Sequence, residues 1–373
     1  MTVYFLNLAL ICVWGVLFLG PFGHFKKGKL WFIGLSFGQM FLLLWARYRV
    51  GFDYDMYAKG FVLMSRSGFS TLQYLDWEPG FVAFTKLIGL FTNSIPFYMG
   101  IIAAFCLASW GIFFYRYSRN VWISTILFVN LYFLYLNMNF LRQSIAVSIA
   151  LFAWTFLKNR RFLPFLGLTL LASLFHTTAL ILLPVYLLVK LRPGMGQLLF
   201  YSYALLFFYI SSEGILNLLT MVFHEEYANS VFLQGMSFFY ALMPLVLLAL
   251  LFLFQKQMLA SHEENRYLIG LVLFGVFCMV MMSRHAILER LSYYAFGYVT
   301  LAIPALLDAL KIPRPGAGRR FAPAEGEQQV DLVYSPQAWT VLVTVLAVTT
   351  LYHVMGLLEN VHGVVPYLSR FFS

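Results

Sequence analysis

Charged residues are scarce in this sequence, since Asp, Glu, Lys and Arg make up 11% of 373 residues and 61% are hydrophobic. A water-soluble domain could not bury so large an apolar fraction in one core. The composition therefore excludes an ordinary soluble protein. Cysteine is rare as well, and the three isolated cysteines, all within apolar runs, predict neither a disulfide nor a metal site. The sequence also lacks a glycine-rich phosphate loop, so no nucleotide or other cofactor is expected.

Apolar runs recur along the whole chain at about the length of membrane-spanning helices. They predict an all-α, polytopic integral membrane protein, a single transmembrane domain over residues 1–373 with about twelve transmembrane helices. The first run lacks the positive flank of a signal peptide, so we interpret it as a span. We expect spans near residues 3–20, 30–46, 97–115, 121–137, 143–157, 162–175, 177–191, 197–211, 236–254, 267–283, 289–309 and 338–357.

The distribution of basic residues predicts the orientation of these spans. Sixteen of the 25 Lys and Arg residues fall in short segments on one side, which the positive-inside rule assigns to the cytoplasm. Both termini are then expected to face outward. Because this positive charge is spread over short loops beside lipid, it does not indicate a nucleic-acid partner.

Three segments lie between the predicted spans. Residues 47–96 are expected to form the first outer, periplasmic loop, and its apolar stretch 80–91 is too short to cross, which predicts a re-entrant or interfacial helix. Residues 212–235 are expected to form a second outer loop. Residues 311–337 are rich in Pro, Gly and charge, and indicate a flexible cytoplasmic linker.

The first outer loop carries several polar candidates for a functional site. Directly after the second span come Arg47, Arg49, Asp53 and Tyr57, and Glu78 follows further along. Arginine suits phosphate oxygens, a carboxylate can accept a proton, and tyrosine rings suit sugars. Alternatively, Arg and Tyr anchor a helix end among the headgroups, and the carboxylates belong to caps and turns.

Further candidates fall between later spans, on the same predicted outer side. Arg142 lies between the fourth and fifth predicted spans, and His176 lies between the sixth and seventh. Arg284 and Arg290 lie between the tenth and eleventh. An arginine at a membrane boundary is costly without a partner and is a functional candidate, although it can also snorkel to the headgroups. The histidine can equally be a satisfied helix-end residue, and the arginine pair a solvated turn. Their shared side predicts a cleft at the outer surface for an anionic lipid headgroup.

Five short motifs give these residues a family resemblance. The chain resembles the EpsG family of Wzy-like polysaccharide polymerases over about residues 47–304, through Gly51-x-Asp53-Tyr54-x-x-Tyr57, Glu78-Pro79-Gly80-Phe81, Asn139-Phe140-Leu141-Arg142-Gln143-Ser144-Ile145-Ala146, Leu174-Phe175-His176-Thr177-Thr178-Ala179-Leu180 and Arg290-Leu291-x-x-Tyr294.

The resemblance implies a glycosyltransferase of the bacterial cytoplasmic (inner) membrane in capsule, exopolysaccharide or O-antigen synthesis. Its donor and acceptor would be glycan repeat units on undecaprenyl diphosphate, with a flippase and a chain-length regulator as further partners. Arg142 and Arg290 would stabilise the departing diphosphate, and Asp53 or His176 would accept the hydroxyl proton, with Glu78 as a third choice. Position alone adds Asp55, Arg47, Arg49 and Arg284 to the candidates. The predicted substrate-binding residues are Arg142, Arg290, Arg284, Arg47, Arg49 and Tyr57, the last of which falls in the first motif.

Three other functions remain open at this stage. A lipid-linked oligosaccharide flippase or other transporter would share the composition, but would place charge near mid-membrane, whereas the predicted spans have almost none inside. A glycan ligase would use the same donor and the same diphosphate chemistry. An acyltransferase of these pathways would also need a histidine and an arginine at a membrane face.

Overall fold

The computed structural model describes residues 1–20, 27–66, 77–223, 239–283, 288–313 and 332–371, and within these ranges it leaves out the side chains of residues 212–223 and 239. The described part is almost entirely helical. Its helices are α1 Thr2–Leu19, α2 Gly28–Ala46, α3 Tyr54–Arg66, α4 Pro79–Gly89, α5 Ile95–Tyr117, α6 Val121–Asn130, α7 Phe133–Asn139, α8 Leu141–Leu151, α9 Trp154–Lys158, α10 Phe162–Ser173, α11 Leu182–Leu188, α12 Met195–Phe223, α13 Phe239–Leu253, α14 Gln255–Ser261, α15 Asn265–Met281, α16 Glu289–Phe296, α17 Val299–Ala309 and α18 Pro336–Leu358. A 3₁₀ helix, Thr177–Ile181, precedes α11, and strands β1 Lys311–Pro313 and β2 Leu332–Tyr334 pair antiparallel.

Local sequence determines where several of these helices begin. The Asn120 side chain accepts a hydrogen bond from the Ile123 amide at 3.2 Å and caps α6. Ser335 caps α18 in the same way, and Pro336 follows at the first helical position, where its missing amide hydrogen costs nothing. These caps start α6 and α18 at the end of the bundle that carries the basic loops.

Four helices, α1, α2, α5 and α18, are long and apolar enough to cross a membrane, and two bent pairs, α6 with α7 and α13 with α14, raise the number to six in the described residues. The predicted count of twelve stays a prediction. Three predicted spans, 121–137, 143–157 and 289–309, each consist of two helices. At the first of these breaks Tyr132 has a φ of +67°, and the axis bends by 49°. Hydropathy records apolar content and does not record such backbone breaks.

The segments predicted as loops contain more helix than expected. Residues 54–66 form α3, whose buried Tyr57, Phe61 and Met64 recur at helical spacing along one face. The short apolar stretch after Glu78 is α4. Helix α12 continues to Phe223, so the first half of the predicted loop 212–235 is helical, and residues 224–238 lie outside the described part. Strands β1 and β2 pair the two ends of the predicted linker 311–337, whose middle also lies outside.

Segments predicted on the cytoplasmic side meet at one end of the bundle. Arg119 Nη1 lies 2.8 Å from Asp308 Oδ2, and Lys158 Nζ lies 2.9 Å from Glu264 Oε2. Arg119 also lies 3.8 Å from Glu264, which joins the two pairs. We call this the basic end, and the end that carries Asp53, Arg142 and His176 the site end.

Cysteine labelling should report which end faces outward. Asn93, between α4 and α5 at the site end, and Asn159, after α9 at the basic end, are both exposed. Because basic loops are retained in the cytoplasm, a membrane-impermeant maleimide should label Asn93→Cys in intact cells, and Asn159→Cys only after permeabilisation. The parent protein serves as the control for its three native cysteines. Labelling of Asn159→Cys in intact cells would reverse the orientation.

Candidate functional site

The loop between α2 and α3 brings Asp53 to the site end. Its turn depends on Gly51, whose φ of +98° is a conformation that other residues rarely adopt. A Cβ atom on Gly51 would also lie 2.8 Å from the Met138 carbonyl oxygen. The Phe52 amide donates to Asn139 Oδ1 at 2.7 Å. This loop is therefore held against the junction of α7 and α8, directly before Arg142.

A segment after α18, residues 359–371, packs over the same loop, and we call it the strap. The Gly51 amide donates to the Gly363 carbonyl at 2.9 Å, and the Tyr48 amide to the Leu368 carbonyl at 2.9 Å. Asn139 Nδ2 donates to the His362 carbonyl at 3.0 Å. The strap thus holds both sides of the contact that positions Asp53.

Arg47 and Arg49, predicted to bind substrate, are engaged elsewhere. Arg47 is 4% exposed, and its Nη1 donates to the backbone carbonyls of Val50, at 3.0 Å, and Met138. It joins the end of α2 to α7, and its buried guanidinium is not presented to a ligand. The Arg49 side chain is 61% exposed, and its Nε lies 3.3 Å from Asp55 Oδ1. The expectation of a substrate-binding role does not fit the contacts of Arg47.

Glu78 links Arg142 to His176. One carboxylate oxygen, Oε2, lies 2.7 Å from Arg142 Nη1, and the other, Oε1, lies 2.7 Å from His176 Nδ1. The three side chains are 10%, 18% and 11% exposed respectively, so the contacts are shielded from solvent. The chain brings them together by a close approach, in which the Gly80 amide donates to the Leu174 carbonyl at 2.8 Å. A Cβ atom on Gly80 would lie 2.7 Å from that oxygen, so a residue with a side chain would not allow this close approach.

These contacts make Glu78 a poor proton acceptor. Burial alone would raise the pKa of its carboxyl group, but the hydrogen bond with His176 and the charge of Arg142 outweigh burial and lower the pKa to about 2. A carboxylate in this position fixes the imidazole with Nδ1 toward Glu78. The other ring nitrogen, Nε2, is then the one that can exchange a proton. We therefore assign Glu78 a positioning role and leave His176 as a candidate base.

The pKa of Asp53 is shifted in the opposite direction from that of Glu78. Its carboxylate is half-buried and, within the described residues, accepts no hydrogen bond. Burial raises the pKa of Asp53, and the positive charges of Arg290 and Arg142 oppose that rise without cancelling it. Two carboxyl groups at one site with pKa values shifted in opposite directions are typical of divided roles. Asp53 is the one suited to accept a proton.

Aromatic rings support the two arginines that the sequence assigned to a diphosphate. The guanidinium of Arg142 lies 5.7 Å from the centre of the Trp77 ring, and that of Arg290 lies 5.0 Å from the Phe140 ring. The Gln143 side chain donates to the Arg290 carbonyl. Such contacts restrict both guanidinium groups while leaving them charged. Two restrained cations close to one open carboxylate can bind an anion and accept a proton beside it.

Tyr57 lies in the wall of this site and is 3% exposed. Its ring packs 5.5 Å from Trp77 and 5.8 Å from Phe81. Burial raises the pKa of its hydroxyl, and the charge of Arg142 opposes that rise. The predicted contact of Tyr57 with sugar therefore requires movement of its neighbours. Arg284, also predicted to bind substrate, lies outside the described residues.

Sequence reasoning missed three parts of this arrangement. Trp77 contacts Arg142, and Asn139 joins the Asp53 loop to the strap. In the sequence each is only a neighbour of a stronger candidate. The strap carried no signal, because it holds the Asp53 loop through the backbone carbonyls of Gly363 and Leu368, which leave no side-chain pattern. In the described residues, no group of three His, Cys, Asp or Glu side chains could hold a metal ion.

Comparison with known proteins identifies one family. The model of the EpsG family matches residues 30–314, which include all the site residues named above apart from the strap. No curated protein and no solved structure gives a significant match.

Proposed function

Because the chain belongs to the EpsG family, whose members are Wzy-like polymerases, we propose that this integral membrane protein is a glycosyltransferase that polymerises repeat units linked to undecaprenyl diphosphate. The reaction would take place at the outer face of the bacterial cytoplasmic membrane, with both termini outward. The observation that carries the proposal is the meeting of Arg142, Arg290, Asp53 and the Glu78–His176 pair at one end of the bundle.

In the proposed reaction a sugar hydroxyl of the acceptor unit attacks the anomeric carbon of the donor glycan. A new glycosidic bond forms, the bond from that carbon to the diphosphate oxygen breaks, and the lipid diphosphate departs with the electron pair. The hydroxyl proton passes to a protein base. Negative charge increases on the diphosphate as the bond breaks, so Arg142 and Arg290 act mainly on the transition state.

Asp53 is our first choice for the base, and His176 is the second. Asp53 combines an open carboxylate with a raised pKa, which keeps it closer to the operating pH than an ordinary aspartate. His176 has its Nδ1 bound to Glu78, an arrangement that orients a histidine base. Glu78 itself, held by two partners, would orient the histidine and Arg142 without exchanging a proton.

Deletion of the gene tests the proposed activity at the level of the glycan. Because initiation and export precede polymerisation, the deletion strain should carry single repeat units where the parent has long chains, as seen by gel electrophoresis of surface glycan. Complementation with the parent chain should restore the long chains. Long chains that persist on the lipid carrier would indicate a ligase. An unchanged glycan would favour an acyltransferase, and repeat units retained inside the cell would favour a flippase.

A further inference from the structure

A second cleft lies on a different face of α3 from the one that packs against Trp77. It is an open groove of about 610 Å³ between α3 and the start of α5. Its α3 lining, which includes Lys59, Val62, Leu63 and Arg66, recurs at helical spacing. Arg142, His176 and Arg290 do not line it. The groove is therefore separate from the proposed catalytic site, although it opens at the same end of the bundle.

The groove carries an excess of positive charge. Arg49, Lys59 and Arg66 line it together with one carboxylate, Asp55, which lies 3.3 Å from Arg49. Lys59 and Arg66 are exposed, and neither has an ion-pair partner in the part of the chain that the structure describes. They stand two helical turns apart, roughly 10 Å along the axis of α3. A phosphate group is small enough to lie between them.

The remaining lining is apolar. Val62 and Leu63 lie between Lys59 and Arg66 along α3, and Ile95 and Pro96 line the groove from α5. Leu63 is 46% exposed. Ile95 and Pro96 also begin α5, one of the four helices long and apolar enough to cross a membrane. The apolar side is thus continuous with the surface of a membrane-spanning helix, at the level where lipid headgroups begin. A soluble anion would gain nothing from this side, whereas a lipid would.

We propose that this groove binds the phosphate of a lipid, with Lys59 and Arg66 on the phosphate and the hydrocarbon chain against Leu63 and Ile95. Two lipids share this chemistry, an ordinary anionic phospholipid and a prenyl phosphate carrier. The proposal stands on the groove alone and does not require the proposed reaction.

Lipid binding to the purified full-length protein tests this proposal. Phosphatidylglycerol, undecaprenyl phosphate and inorganic phosphate are titrated in separate arms at low salt, and the lipid-dependent rise in unfolding temperature gives each affinity. The double variant Lys59→Gln/Arg66→Gln should bind lipid at least tenfold more weakly, because it removes both cations that contact the phosphate. Asp55→Asn should bind more tightly, an effect that misfolding cannot produce.

The matched control removes two exposed cations from the basic end, Arg161→Gln/Lys190→Gln. It should leave both lipid affinities unchanged. Equal weakening of both lipids in the double variant supports a general lipid-phosphate site, and selective weakening of undecaprenyl phosphate supports a site for the prenyl phosphate carrier. Unchanged binding in the double variant, an equal loss in the control, or inorganic phosphate binding as tightly as lipid would overturn the proposal. None of these results depends on whether the protein polymerises glycan.

Discussion

Replacement of Arg142 by alanine is expected to lower glycan polymerisation by about a hundredfold, since one charge-assisted contact made mainly in the transition state contributes about 3 kcal/mol. Arg142 is a sharper target than Arg290, because its contacts with Glu78 and Trp77 fix its orientation. The measurement is the rate of chain extension from lipid-linked repeat units by purified protein, at equal protein concentration.

Arg142→Lys separates charge from shape. Lysine can still face Glu78, so the protein should reach normal abundance, but it lacks the planar fork that binds two phosphate oxygens at once. We expect Arg142→Lys to remain strongly impaired. Arg161→Ala, which removes an exposed arginine at the basic end, should extend chains at the parent rate. If Arg142→Ala also extends chains at the parent rate, the arginine is a structural partner of Glu78 and does not bind the diphosphate.

Replacement of Asp53 by asparagine should lower the rate by a factor of roughly 10² to 10⁴, the range for loss of a general base. The substitution keeps the size of the side chain and breaks no hydrogen bond to the carboxylate within the described residues. Folded abundance should therefore be unchanged. Normal activity of Asp53→Asn would transfer the role of base to His176, and His176→Gln would then show the large loss.

The dependence of the rate on pH gives a second measure of the same role. A base must be deprotonated, so the rate should fall as the pH is lowered through the pKa of Asp53. Because burial raises that pKa, the fall should begin at a higher pH than for an ordinary aspartate. The residual rate of Asp53→Asn should lack this fall. Glu78, with a pKa of about 2, should not contribute to the profile at any pH where the protein is assayed.

The sequence predicted the membrane class, most helix positions and the shared side of the site residues. These predictions depend on properties that one residue or one run carries by itself, such as apolar length or the placement of Lys and Arg. Asp53, Glu78, Arg142 and His176 were selected because each lies beside a predicted span on the same side. Sequence alone was sufficient to assign them to one surface.

The separate roles of these residues, as proton acceptor, positioning carboxylate or anion-binding cation, could not be predicted from single positions in the sequence. Glu78 and His176 stand 98 residues apart, and their contact depends on the close approach of Gly80 to the Leu174 carbonyl. Arg47 was assigned to substrate from its position directly after a predicted span, but here it donates to backbone carbonyls of two segments. Helix α3 was missed because its apolar face is short and its opposite face is polar.

The strap determines when, during synthesis, the loop that carries Asp53 can gain its backbone contacts. The loop that carries Asp53 leaves the ribosome early, yet its partners Gly363 and Leu368 are synthesised after every described helix. The Tyr367 hydroxyl donates to the Leu43 carbonyl across 324 residues, so the end of α2 also acquires this contact late. A chain still in translation can therefore have its helices inserted while the Asp53 loop lacks its backbone partners. The site would then be completed only after α18 and the strap have been synthesised.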